Sequence, residues 1–486
     1  MPASHRSLPS MLTIAALSLA ISACAVGPDH VRPDLPVAER FARDAGIGDA
    51  TMTPAADAAF WHGFGDARLD ALVDAALSAN HDLRIALAQY DRANALLRGA
   101  KFDALPTITA NADGRETRAS TDQMPGVARD GRDIESYSVG AGIAWELDLF
   151  GRIRRNVEAN RADAQANASD LAAAQVAIVG EVARTYFELR GLQERLRVAR
   201  ENADNQAETL RLVQARFDAG RDSEFDLSRA RAQQAATSSR IPALEAQTAT
   251  AMHRLAVLTG RTPDALIAEL SAPAPLPALP ARIDPGTPGE LLRRRPDVAA
   301  AEARLHASTA RIGVATADLF PRFTLGGLIG SQAIDTSALF ERGSETRLVA
   351  LGIDWSFLDI GRVRARIAAA DADAAGTLAA YERSVLLALE DTENALVRHA
   401  RAREEDALLE RAATDSARAA TLARTRFEAG ATGLLEVLDA ERTRLQAQDA
   451  FADARTRSTT SAVGLFKALA GGWPQSLPAR VEVGQR

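Results

Sequence analysis

One interval organises this sequence. WELDLFG at 145–151 is answered by WSFLDIG at 355–361, and RFDAG at 216–220 by RFEAG at 426–430, each 210 residues on (355 − 145 and 426 − 216). A duplication of that size predicts one architecture built twice, not a string of unrelated domains. The first copy begins with period-2 alternation. Tyr137, Val139, Ala141, Ile143, Trp145 and Leu147 share one face, and Ser138, Gly140, Gly142, Ala144, Glu146 and Asp148 the other. At Gly151 the period changes, and no proline follows until Pro242. Between Ile178 and Phe217 apolar residues recur at alternating steps of four and three, interrupted only by Thr185 and Gln206. That is the seam of a supercoiled helix. Some 65 residues of helix span about 100 Å, longer than a globular domain requires.

In order, 1–23 reads as a secretory signal, with a short cationic start and an apolar run from Met11. Residues 24–66 form a proline-spaced, extended arm. The first repeat occupies 67–259: short helices, a β-hairpin at 106–149, a long helix at 152–217 and a return helix at 222–258, kinked at Pro242. Within the hairpin, 106–113 and 137–149 alternate, while the charged 114–136 reads as a solvated loop. Residues 260–296, with PAPLPALP, form a connector unsuited to a core. The second repeat, 297–470, carries a hairpin at 321–358, a long helix at 362–427 with His399 in the heptad register, and a return helix at 433–469. A tail, 471–486, closes the chain.

Net charge of −7 gives no basic face for nucleic acid. The seven histidines lack metal-ligand spacing and no Gly-Lys dipeptide exists, so neither a metal site nor a Walker A loop is expected. The expectation is no enzyme and no cofactor beyond a covalent lipid. That lipid follows from Ile21-Ser22-Ala23-Cys24, which resembles a bacterial lipobox ending on the sole cysteine. Ala25 follows in place of aspartate, which by the same resemblance means no inner-membrane retention.

The fold class expected is mixed α and β, mostly α. Each copy supplies two alternating strands, the pattern of a membrane barrel with one face to lipid and one to a lumen. Tyr137, Trp145 and Trp355 are the candidate membrane-interface aromatics. Four strands cannot close a barrel, so both the β-barrel and the helical barrel must be shared between chains. Sequence geometry alone does not choose between two copies and three.

Further segments carry a family resemblance: CAVGPDHVRP, WHGFGDARLDALVDAAL, WELDLFGRIRR, LLRRRPDVAAAEARL, DLFPRFTL, WSFLDIGRVRA and LLEVLDAERTR, with both tip motifs. Together they resemble the TolC-like outer-membrane efflux proteins of the OprM/NodT lipoprotein branch. The resemblance implies a lipid-anchored homotrimer in the outer membrane that reaches into the periplasm. It would serve as exit duct for small molecules delivered by an RND-type inner-membrane transporter and a periplasmic adaptor. It also implies a periplasmic gate at Leu435, Asp439 and Arg442. Adaptor-docking tips would be Arg216, Phe217, Gly220, Arg426, Phe427 and Gly430. Two alternatives stay open: a duct for protein or peptide secretion of type I, and a periplasmic coiled coil without a pore.

Overall fold

The computed structural model describes residues 25–34, 36–42, 53–54, 59–277, 283–470 and 480. Cys24, the signal segment and nearly all of the tail lie outside the described residues.

The chain begins with a two-residue strand, β1 (Thr53–Pro54), and a short 3-10 turn, Phe60–Phe64. Asp66 then caps α1 (Ala67–Ala79), its carboxylate accepting from the amides of Arg68 and Leu69. Next come α2 (His81–Phe102), β2 (Thr107–Arg118), β3 (Asp133–Leu147) and the long α3 (Arg152–Asp218). The chain returns through α4 (Glu224–Ser238) and α5 (Arg240–Leu258). A single helical turn, α6 (Ile267–Leu270), a two-residue strand, β4 (Ile283–Asp284), and α7 (Pro288–Arg294) lead to α8 (Pro296–Ala317). The second copy continues with β5 (Arg322–Ala333), β6 (Glu345–Asp354), α9 (Ile360–Glu428) and α10 (Leu434–Ala468).

Four expectations need correction. The return helix at 222–258 is two helices, beginning at Glu224 and breaking at Ser239. Pro242 falls in the first turn of α5, and the carbonyl its missing N–H cannot reach is that of Ser238, the last residue of α4, so the break lies one turn before the proline. The segment 114–136 is not all loop, because β2 runs on to Arg118 and β3 starts at Asp133. The connector at 260–296 is not merely a spacer. Leu270, Ile283 and Leu291 are buried in a core, β4 pairs in parallel with β1, and Thr287 opens α7 with a capping box. The arm at 24–66 is likewise not wholly extended, since Phe41, Phe60, Trp61 and Phe64 join the same core.

The chain divides into two compact units that cut across the repeats. One comprises 1–34, 90–167 and 300–382, and holds the four-stranded antiparallel sheet β2-β3-β5-β6. The other comprises 35–89, 168–299 and 383–486 and holds the main core. There, Phe60 stacks on Phe466 at 4.8 Å and Phe64 packs against Phe187 at 4.9 Å. The Tyr186 hydroxyl donates to Asp66 Oδ2 at 2.6 Å, fixing the start of α1 on α3. Burial, then the bond to the Asp66 carboxylate, push the Tyr186 pKa up to about 12. The heptad positions behave as a seam: Val182, Leu189 and Val213 are fully buried, and Thr185 and Gln206 are buried among them.

Candidate functional site

Register assigns every strand residue to a face. Ile108 lies opposite Ile143, Trp145 opposite Leu325, and Leu325 opposite Leu351, so these share one side of the sheet. The same side carries Val139, Ala141, Leu147, Phe323, Ile329, Val349 and Ile353. The opposite side carries Thr109, Asn111, Asp113, Ser136, Ser138, Gly140, Gly142, Thr324, Gly326 and Thr346, with Leu328 and Leu348 as its large apolar members. There Ser138 bonds Asp113, and Gln332 donates to Ser136 at 3.2 Å. Along β3 the apolar band stops at Tyr137, while on β6 it is already interrupted by Arg347 opposite Ile329; beyond Tyr137, Arg118 pairs with Asp133 across the strands. Many apolar residues on that band are exposed, including Ile108, Ile329 and Val349 at 72%, 72% and 83%. Each outer strand, β2 and β6, pairs on one side only among the described residues.

The candidate interface aromatics are held by their polar ends. Trp145 Nε1 donates to the Ala104 carbonyl at 3.1 Å, and Trp355 Nε1 to the Leu319 carbonyl at 3.0 Å. Both acceptors lie two residues past the helix that precedes the hairpin, so each indole ties the end of its hairpin to the start. Tyr137 packs its ring on Gly114 and donates its hydroxyl to Glu135 at 3.1 Å.

Where strand passes into helix, the Asp148 carboxylate accepts from the amides of Ile153 and Arg154 at 3.0 and 2.9 Å and so caps α3. Here the structure shows a docking that sequence reasoning missed. The Val26 amide donates to Phe150 O at 3.1 Å. The nearly buried Arg155 donates to the carbonyls of Val26 and Gly27 and pairs with Asp29 at 2.7 Å. Gly27 lies against Gly313 so closely that a Cβ on Gly27 would collide with the Gly313 backbone. Farther on, His30 stacks on His306 with centroids 4.5 Å apart, and His306 Nε2 lies 2.9 Å from Glu158 Oε1. Burial, then the adjacent His306 ring, pull the His30 pKa below its ordinary value. The signal was in the sequence only as isolated glycines, Gly27 and Gly313, with nothing to pair them.

The two tip motifs adopt one geometry. The Gly220 amide donates to Phe217 O at 2.8 Å and Arg221 to Arg216 O at 2.9 Å. Gly430 and Ala431 repeat this to Phe427 and Arg426 at 2.9 and 2.8 Å. Both glycines are left-handed, with φ of 69° and 74°, which completes a Schellman cap. Phe427 is buried in a small cluster with Val213, Leu227, Leu434, Val437 and Leu438, and Phe217 packs beside it. Arg216 pairs with Asp222 and lies 5.0 Å over the Phe427 ring. Arg426 is exposed, with no ion-pair partner among the described residues. Leu435 is 56% exposed on α10. Asp439 and Arg442 are a mutual, exposed pair one turn apart on that helix. The structure thus places the docking candidates in two matching helix caps and the gate candidates on the exposed side of one helix, α10.

The sequence profile of the outer membrane efflux proteins matches residues 72–261 and 287–471. The chain belongs to this outer membrane efflux protein family. Family members similar to it include the outer membrane protein OprJ of Pseudomonas aeruginosa, 34% identical, with 97% of each chain covered. Another is the pyoverdine export outer membrane protein OpmQ of Pseudomonas putida, 32% identical, covering 97% of this chain and all of the relative. Among solved structures, the outer-membrane channel OprN superposes with a TM-score of 0.86 at 41% identity, covering 93% of this chain and 100% of that one. Mostly helical with one antiparallel sheet, the chain shares the fold of these channels, and family membership assigns it to the outer membrane.

Proposed function

We propose that three copies of this chain form the outer-membrane exit duct of a tripartite efflux system for small molecules. The observation that carries this is the sheet: mostly apolar on one face, Arg347 and Ser331 excepted, and mostly small and polar on the other, Leu328 and Leu348 excepted, with two edges unpaired among the described residues. In hydrocarbon such edges must be paired, and three copies would close twelve strands. Tyr137 and Trp145 are eight residues apart on the apolar face, about 27 Å of strand, comparable to the ~25 Å apolar band of an outer-membrane barrel. The passage supplies no energy of its own, so the reading includes a periplasmic adaptor and an RND-type transporter in the inner membrane. OpmQ is named for pyoverdine export, and a wide polar lumen suits small cargo of that general kind.

The lipid anchor on Cys24 fits this reading. Ala25 and Val26 are fixed at Phe150 and Gly151, directly below the sheet, where an acyl group on the preceding residue would enter the bilayer. The gate reading rests on three copies of α10 brought together, which would set three exposed Asp439–Arg442 pairs around one axis. The purified full-length protein should run as a trimer and conduct in planar lipid bilayers. Monomers that do not conduct would overturn the proposal. Asp439→Ala should raise single-channel conductance severalfold; conductance equal to the parent removes Asp439 from the gate.

A further inference from the structure

Below the sheet, a cavity of about 810 Å³ opens between the ends of α2 and β3, the first turns of α3, and His306 on α8. Trp145 and Ala104 roof it, and Val157 contributes to its apolar wall. Trp145 belongs to the apolar, outward face of the sheet. His306 carries the stacked arm residue His30, so this is also the side on which the arm lies. The cavity therefore adjoins the lipid side of the proposed barrel, at its periplasmic rim.

Its wall holds three basic side chains, Lys101, Arg154 and Arg161, against three carboxylates, two of which are taken up by arginines outside the lining, Arg152 and Arg155. Each carboxylate is committed. Glu146 pairs with Arg152 at 2.6 Å. Asp148 caps α3 and pairs with Arg154 at 3.2 Å. Glu158 is held by Arg155 and His306, both at 2.9 Å. Lys101 and Arg161 also line it, and neither has an ion-pair partner among the described residues. Two uncommitted cations, a tryptophan and an apolar wall at a membrane rim are what a lipid phosphate with its acyl chains requires.

We infer that this cavity binds the headgroup of an anionic phospholipid from the inner leaflet of the outer membrane. Lys101 and Arg161 hold the phosphate, and the chains rise along the apolar face beside Trp145. A zwitterionic headgroup brings its own ammonium into a cavity that already carries two cations, so phosphatidylglycerol is preferred to phosphatidylethanolamine. This proposal rests on the outer-membrane reading above.

The test is native mass spectrometry of the full-length protein titrated in detergent with phosphatidylglycerol, phosphatidylethanolamine of the same chains, or inorganic phosphate alone. The parent should hold phosphatidylglycerol at least roughly tenfold more tightly than phosphatidylethanolamine. Lys101→Ala/Arg161→Ala should weaken it roughly 25-fold, about fivefold for each cation. Lys101→Arg/Arg161→Lys should retain the parent's preference, which separates charge from packing. No preference in the parent, an unchanged preference in the alanine pair, or phosphate competing as well as the lipid would each overturn the site. Planar-bilayer conductance of the same preparations isolates the failure. Conducting channels without the preference sink the headgroup site alone; a parent that never conducts sinks the channel reading.

Discussion

The two long helices share one sequence pattern and one terminal cap, yet their surroundings differ. On α3, Leu212 is the one large apolar side chain that is exposed. On α9, Leu386, Leu408 and Leu422 are 67%, 53% and 57% exposed, and Leu387 and Val397 are exposed as well. Leu386, Leu408 and Leu422 fall within about 40° of one another around a regular helix, so they form a single row. At the 210-residue interval, the fully buried Leu189 of α3 corresponds to His399 of α9. The tips differ too. Ser223 opens α4 with a capping box, whereas Gly433 opens α10 with no side-chain bond, and the buried Thr432 Oγ1 has no partner among the described residues. Along its long helix the first copy is covered by its own chain. The second has an uncovered face, as expected of a surface that meets another copy.

The largest effect should come from charging that row. Leu386→Glu with Leu408→Glu should abolish trimers, read by native mass spectrometry, while Leu212→Glu leaves them intact. Equal effects, or none, would erase the distinction between the helices.

Next comes the buried histidine. His399 Nδ1 lies 3.0 Å from Ser461 Oγ, and burial, then the nearby Arg403 charge, push its pKa down to about 4. A pKa held below the unfolded value means that the unfolded chain binds the proton first. The stability due to neutral His399 is therefore intact above about pH 6.5 and is lost as pH falls toward 4, by a few kcal/mol at most. His399→Leu should flatten the denaturant-unfolding profile across that window and make α9 resemble α3; an unaltered pH profile would refute this.

Smaller are the caps. Gly220→Ala and Gly430→Ala should each cost about 1 kcal/mol, because alanine resists the left-handed conformation. Hydrogen exchange at the two tips should register them equally if the shared cap is what matters. Smallest is the contrast in helix starts. Ser223→Ala should weaken α4 by about 1 kcal/mol, and Gly433→Ser should strengthen α10 by a few tenths. A reversed order would show that Gly433 already gains its bond from elsewhere.

Much of this was legible because period and punctuation are local. The alternation before Gly151, the proline-free run after it and the glycine of RFDAG each declare their structure within a few residues. The strand ends at Arg118 and Asp133 were not legible, since beyond the apolar band both faces turn polar and the period disappears. Nor was the packing of Phe41, Trp61, Leu270 and Ile283, which lie in short apolar clusters that carry neither a strand nor a helix period. At the site, the tips were legible as caps, and Trp145 and Trp355 as paired positions. The hydrogen bonds of those indoles to Ala104 and Leu319 were not, because they depend on which residues the hairpin brings back. Asp439 and Arg442 are an ordinary exposed pair within one chain, so their importance depends on an assembly that local pattern does not encode.

The docking of Val26 on Phe150 bears on mechanics. Residue 24 lies two residues before that hydrogen bond, and two residues reach about 7 Å at full stretch. A long, slack tether would let the anchored end wander, and its local concentration at any one spot would fall. A lipid on Cys24, as proposed, would through so short a connection follow the height of the strand-to-helix junction. On that proposal, lengthening the connection by a few residues would leave the attachment chemistry intact but free the depth at which the duct sits.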